Sequence, residues 1–273
     1  MTNKLEEFVN SIAVLDTETN GILETDEIIE FSISFPESLN DSIDNIMNYT
    51  NRYKPQKEVP AIASSVHFIT NEDLESCGTY DSELPTIDAL MGSRQYYVGH
   101  NVQFDRRMMR QCEDKYRSEP SQYLYEDNWI CTLRLAKKLH AEDSDYDNMT
   151  LSYLWFKLGC YKGHRKVEAH SARDDVFMCY SVLIKLVEEC ISLGIIDPNN
   201  DIGSQIIQYC NTPIIYKKVT FGKHKGMDFS ELPMDYLMWM ITNSDILNTD
   251  KEDCDMDLVA TFQYEYNRRT AGI

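Results

Sequence analysis

The chain has no pair of cysteines spaced Cys-x-x-Cys. Its eight cysteines are scattered from Cys77 to Cys254, a pattern that supports neither a thiolate zinc site nor a compact disulfide framework. A reducing cytoplasm is the expected compartment. No apolar run approaches the roughly 20 residues that cross a bilayer, so no membrane partner is expected. The segment Met1 to Asn10 lacks the basic and apolar parts of a secretory signal. Internal repeats and low-complexity tracts are missing too. Basic residues are scarce: 26 Lys and Arg stand against 45 Asp and Glu, a net charge of −19 over 273 residues. Such a charge repels polyanions and argues against a protein that sequesters nucleic acid through a broad basic footprint.

What the chain does have is acids at the ends of apolar runs. Ile12-Ala13-Val14-Leu15 leads into Asp16-Thr17-Glu18-Thr19-Asn20-Gly21. Residues two apart in a strand share a face, so Asp16 and Glu18 present two carboxylates together at the end of a buried strand. Like charges that close are costly without a cation between them, and hard divalent ions, Mg²⁺ above all, take oxygen ligands of this kind. Further on, Tyr96 to Asp105 reads as a short strand running into a helix, with Asn101 as its cap and Asp105 near the first turn. His170-Ser171-Ala172-Arg173-Asp174-Asp175-Val176 opens another helix, on which Ala172, Val176, Cys179, Leu183 and Val187 recur at helical spacing.

Taken in this order, D-x-E-T-x-G, H-N-x-x-F-D and H-x-A-x-x-D resemble the DEDDh family of 3′-to-5′ exonucleases, of RNase H-like fold. The family pattern falls on Asp16, Glu18, Asp105, His170 and Asp175. Asp175, and not Asp174, lies five residues after His170, which leaves Asp174 as an expected surface acid. The resemblance implies two Mg²⁺ ions, with Mn²⁺ able to substitute. Asp16, Glu18 and Asp175 would bind the first ion, Asp16 would bridge to the second, Asp105 would support the second, and His170 would take the proton from the attacking water. It further implies substrate-binding roles for Thr17, Ile22, Leu23, His67, Phe68 and Asn101; for Ile22 and Leu23 plain packing is the alternative. Ser65-Val66-His67-Phe68-Ile69-Thr70 resembles the family's V-H-G-I-T segment, with Phe68 where a small residue is usual. Within the family the likeness is to the exonuclease X branch, through Phe104-Asp105-Arg106-Arg107, Trp129-Ile130-Cys131-Thr132 and Phe221-Gly222-Lys223-His224-Lys225-Gly226.

The fold class expected is α/β: an RNase H-like mixed five-stranded sheet flanked by helices, with a small C-terminal α+β appendage. Ile29, Phe31, Ile33 and Phe35 alternate with Glu30, Ser32 and Ser34, the pattern of a half-buried strand. Met47 to Tyr53, Tyr96 to Gly99 and Trp129 to Cys131 supply the other strands. The polar turn Asp197-Pro198-Asn199-Asn200-Asp201 marks a break, dividing the chain into an exonuclease domain over 9–196, a linker over 197–211 and a C-terminal module over 212–273. In that module Val219-Thr220-Phe221 reads as a short strand. The stripe Leu232, Tyr236, Trp239 and Met240 reads as structural packing.

These features point to a metal-dependent exodeoxyribonuclease that releases mononucleotides from DNA 3′ ends, single-stranded before duplex, in repair or nucleic-acid recycling. An exoribonuclease of the same family is the alternative, because the catalytic group ignores the sugar and discrimination rests on 2′-hydroxyl contacts. A polymerase-bound proofreading subunit and a non-catalytic nucleic-acid-binding module are the others. Arg106-Arg107 with Arg110, Lys162 to Lys166, Lys217-Lys218 and Lys223 to Lys225 are local basic patches, each either a phosphate contact or a solvated face.

Overall fold

The computed structural model describes residues 2–119, 121–125, 127–164, 166–167, 172–251 and 254–271. They form two compact units: Met1–Ala136 with Asn148–Tyr209, and Lys137–Asp147 with Cys210–Ile273. No helix among the described residues is long and apolar enough to cross a membrane.

The first unit is built on a five-stranded sheet of order β3-β2-β1-β4-β5. Its strands are β1 Ile12–Thr19, β2 Ile28–Phe35, β3 Met47–Arg52, β4 Tyr96–Gly99 and β5 Trp129–Cys131. β1 pairs antiparallel with β2, and β2 with β3; β1 pairs parallel with β4, and β4 with β5. This is the mixed sheet the sequence led us to expect. Around it lie α1 Thr2–Ser11, α2 Ala61–His67, α3 Asn71–Leu74, α4 Leu84–Met91, α5 Val102–Glu113, α6 Thr132–His140, α7 Leu151–Lys157, α8 Ala172–Ser192 and α9 Ile202–Asn211. The C-terminal ends of α6 and α9 run into the second unit.

Alternation along β1 sorts its side chains between two layers. Ala13 and Leu15 join Phe31 and Ile33 of β2 and Met108, Met109 and Cys112 of α5 in one apolar cluster. Ile12, Val14, Asp16 and Glu18 therefore point to the opposite face, and α8 packs on β1 and β2.

β2 departs from the half-buried strand expected: all eight of its residues are buried. Its polar face finds partners within the sheet. Ser32 Oγ pairs with Thr50 Oγ1 at 2.8 Å, and Asn48 Nδ2 donates to the hydroxyls of Ser32 and Ser34 at 3.0 and 2.9 Å. Satisfied in this way, small hydroxyls can be covered without the cost of a lost hydrogen bond.

Most of the expected linker is helix α9. Asp201 caps it, its Oδ1 accepting from the Ser204 amide at 2.9 Å, and Ile202 and Ile206 are buried. Tyr96 Oη donates to Asp201 at 2.8 Å, and the Tyr96 ring lies so near Gly203 that a Cβ there would stand 2.4 Å from it. The polar turn is thus a cap and the apolar residues after it dock on the end of the sheet.

The second unit is organised by α10 Met234–Asn243 and α11 Met256–Thr270. Val219, Phe229, Leu232, Leu237, Met240, Leu258 and Phe262 form its core, with Phe229 edge-on to Phe262 at 5.1 Å. The strand expected at Val219-Thr220-Phe221 does not form; the neighbouring Lys218 makes a single antiparallel bridge to Asp228. Gly222 and Gly226, at φ +64° and +87°, close the intervening chain into a turn with the Gly226 amide on the Val219 carbonyl at 2.7 Å, so pairing stops at that bridge and the two backbone bonds beside it, Val219 amide to Met227 carbonyl at 2.9 Å and Phe229 amide to Lys217 carbonyl at 2.7 Å. The stripe read as structural packing is only partly so: Leu232 and Met240 are buried, whereas Trp239 is 52% exposed.

Candidate active site

The alternation that separates Ala13 from Val14 also separates Thr17 from its two acidic neighbours. Asp16 and Glu18 stand on the α8 face, and Asp175 in the first turn of α8 meets them there. One carboxylate oxygen from each of the three lies within 4.8 Å of the others. Thr17 turns toward the α5 layer, where its backbone N–H and its hydroxyl both donate to Asp105 Oδ1, at 3.0 and 2.7 Å. Asp105 is buried in the first turn of α5. Three elements far apart in the chain thus bring four acids to the end of β1.

Burial pushes the Asp16 carboxyl well above its ordinary range, and repulsion from Asp105, Asp175, Glu18 and Glu30 adds to it. Glu18 is pushed up to about 8, by burial first and then by Asp175, Glu30 and Asp105. Asp105 rises to about 7 through burial, with the two Thr17 hydrogen bonds pulling the other way. A set of oxygens that resist carrying charge together is one that a hard divalent cation relieves, since an adjacent positive charge favours every ionised form at once. The residues present fit such an ion.

Glu30 is a member of this constellation that the strand pattern alone did not single out. It faces Glu18 across the β1–β2 pair, at a register shift beside Thr19 where β2 carries one extra residue. Its Oε1 accepts from Arg52 Nε at 2.6 Å and its Oε2 from the amide of Ala172, the first residue of α8, at 3.2 Å. Glu30 therefore braces the start of the helix that carries Asp175. The available signal was an acid inside the apolar run Ile28-Ile29-Glu30-Phe31, on the strand that returns beside the Asp16–Glu18 pair. Asp174, expected at the surface, is 4% exposed; in the first turn of α8 the helix amides and dipole favour a carboxylate.

The other predicted residues lie in the β1–β2 loop, at the end of α2 and just before α5. Ile22 and Leu23 are 69% and 66% exposed in the β1–β2 loop. Their backbone is held by α5, with Arg107 Nη1 donating to the Ile22 carbonyl at 3.2 Å and Gln111 Nε2 to the Leu23 carbonyl at 2.9 Å. Arg107 is thereby a structural clamp, and Arg106 likewise, its Nε on the Leu124 carbonyl. His67 is buried, its Nδ1 accepting from the Ile69 amide at 3.1 Å. Phe68, which ends α2 at φ +59°, is 73% exposed. Asn101 precedes α5 at φ +69° and makes no side-chain cap, contrary to the expectation, because its left-handed backbone turns the chain from β4 into the helix. The histidine of that motif, His100, is held through both ring nitrogens, Nδ1 by Thr132 Oγ1 at 2.9 Å and Nε2 by the Met149 carbonyl at 3.0 Å. His170 lies outside the described residues.

The RNase T family model, described as exonuclease, matches residues 13–183. The chain belongs to this exonuclease family. It is of the DEDDh type, and nucleases of the family depend on divalent metal. Exodeoxyribonuclease 10 of Escherichia coli (strain K12) is 26% identical over 240 residues, covering 87% of this chain and 93% of that protein. Among solved structures, exonuclease X in complex with 5′ overhanging duplex DNA shares the fold at a TM-score of 0.51 and 20% identity, over 73% of this chain and 99% of that one. The nuclease domain of 3′hExo, a DEDDh family member bound to rAMP, does so at 0.50 and 15%, over 65% and 92%. The sheet and its flanking helices are thus the RNase H-like exonuclease fold.

Proposed function

We propose that this exonuclease is a 3′-to-5′ exodeoxyribonuclease that releases mononucleotides from DNA 3′ ends, single-stranded ends before duplex ones, with two Mg²⁺ ions for which Mn²⁺ substitutes. The reading is carried by the convergence of Asp16, Glu18 and Asp175 oxygens within 4.8 Å, with Asp105 fixed alongside by Thr17. Asp16, Glu18 and Asp175 would hold one ion, and Asp16 with Asp105 the other. When bound, such a pair holds the scissile phosphate, acidifies the attacking water and stabilises the leaving 3′ oxygen.

The chain's own groups do the rest. Thr17 orients Asp105, and Glu30 with Arg52 holds the start of α8 so that Asp175 keeps its place. His170, five residues before Asp175, takes the proton from the attacking water, the part an imidazole in its neutral form can play. Ile22 and Leu23, clamped by backbone and open by side chain, lean on the terminal base. Phe68 and Asn101 meet the nucleotide from the ends of α2 and β4. His67 supports that end of α2 from inside.

The DNA substrate is favoured by the similar protein named exodeoxyribonuclease and by the structure of exonuclease X with DNA. A 3′-to-5′ exoribonuclease is the second reading, favoured by the neighbour bound to rAMP. Repair or recycling of DNA in the cytoplasm is the setting that goes with the first. The test is turnover of 5′-labelled single-stranded DNA, duplex DNA and RNA of one sequence, with Mg²⁺, Mn²⁺ or EDTA. A ladder of shortened DNA with mononucleotide product, abolished by EDTA, is expected. Faster shortening of RNA than of either DNA would overturn the substrate assignment.

A further inference from the structure

The second unit carries a basic and aromatic surface that the exonuclease site does not use. In α10, Tyr236 and Trp239 are one turn apart and therefore on one side of the helix. Their rings are nearly parallel, 23° between planes, with centroids 6.4 Å apart. The turn after Phe221 is laid against them: the His224 ring is 4.4 Å from that of Tyr236, and Lys223 Nζ stands over the Tyr236 ring at 5.1 Å. Gly222 makes this turn possible, since at φ +64° it takes the left-handed backbone that side chains resist.

Two observations separate this surface from ordinary packing. Trp239 is half-exposed, and its neighbour Met238 is 48% exposed, while Leu237 and Met240 close the core behind them and Tyr236 packs partly against it. The chain is also strongly acidic, yet residues 221–226 carry Lys223, His224 and Lys225 and no acid. Asp235, the acid at the start of this helix, accepts from the Tyr236 amide at 2.9 Å. Flat π faces beside lysines are the two elements that single-strand binding needs: bases stack on aromatic rings and phosphates meet ammonium groups.

We propose that Tyr236 and Trp239, with Lys223 and Lys225, form a stacking platform for single-stranded nucleic acid in the second unit. Bases lie on the exposed Trp239 ring, which Tyr236 backs, in a sequence-tolerant way, and the lysines engage the backbone. The site is distinct in residues from the acids at the end of β1 and stands whichever sugar the nuclease prefers.

The experiment is equilibrium binding of a fluorescent oligothymidylate of about 20 nucleotides to the full-length protein in EDTA, read by anisotropy over a range of salt. Trp239→Ala should weaken binding about 5- to 150-fold, and Trp239→Phe, which keeps a π face, should bind close to wild type. The double variant Lys223→Ala with Lys225→Ala should flatten the slope of log K against log salt by roughly 1.4, about 0.7 for each lost contact. Because Trp129 and Trp155 are buried, oligonucleotide should also quench the wild-type tryptophan emission, and Trp239→Phe should lose that quenching. Wild-type affinity and salt slope in both the Trp239→Ala and double-lysine variants would overturn the proposal and mark the surface as a protein-facing one. Should Trp239→Ala melt early, the lysine variant on the exposed turn and the quenching readout decide alone.

Discussion

Replacing Asp16 with Asn should stabilise the protein while silencing it, and the gain should grow with pH. The folded state holds Glu18 near pH 8, Asp105 near 7 and Asp16 well above the ordinary range, whereas in the unfolded chain such acids titrate near pH 4. Between about pH 4 and pH 8 the unfolded chain has released protons that the fold retains, so stability falls as pH rises through this window. The Glu18 displacement alone corresponds to about 5 kcal/mol if that carboxyl must ionise within the fold. Burial is its largest cause and survives the substitution. The share that Asp16→Asn removes, its own ionisation and its repulsion of the neighbours, is roughly 1 to 3 kcal/mol. At about 2 to 4 °C per kcal/mol for a unit of this size, that is a rise in Tm of roughly 2 to 12 °C. Thermal melts of wild type and variant in EDTA at pH 5 and pH 8 measure it. The gap should be small at pH 5, widen at pH 8, and close when Mn²⁺ is added, because only the wild type gains from the ion. Coincident melts at pH 8, or a gap that narrows with pH, would refute the electrostatic account of the site.

Asp175→Asn should abolish turnover, while Asp174→Asn should keep it within about threefold and lower Tm by a few degrees, as for a buried polar group outside the chemistry; an inactive but folded Asp174 variant would reverse the assignment. His170→Ala should cost about 10²- to 10⁴-fold in rate with metal and DNA affinity retained, and should lose the limb of the pH–rate profile that rises through the imidazole titration; an unchanged profile would place the base elsewhere. Glu30→Ala leaves the Ala172 amide and Arg52 without their acceptor, at a cost of about 1 to 3 kcal/mol. It should raise the Mn²⁺ concentration needed for half-maximal activity, and a wild-type metal titration would show that Glu30 does not position Asp175.

Much of the site was legible because a strand's period of two is a strict rule. Once Ile12 to Leu15 is a buried strand, Asp16 and Glu18 must share a face. What that rule could not supply was what each face would meet. Thr17 finds Asp105 across 88 residues of chain, and no local pattern announces that contact. β2 looked half-buried because Ser32 and Ser34 are polar; α8, more than a hundred residues downstream, covers the face they occupy. The turn at 197–201 has the composition of a linker, yet the same residues cap a helix. In the second unit, helical spacing placed Leu232, Tyr236, Trp239 and Met240 on one core stripe; Leu232 and Met240 do fill the core, but Leu237 takes the place expected for Trp239.

Helix α5 has a further consequence. Near its start Asp105 reaches Thr17, two residues on Arg107 grips the Ile22 carbonyl, and Gln111 grips those of Leu23 and Asp26. Six residues of helix at 1.5 Å each make a rod of about 9 Å. One stiff rod thus fixes the separation between the acids at the end of β1 and the loop that exposes Ile22 and Leu23, as a gauge block sets a spacing: neither can shift along the sheet without the other.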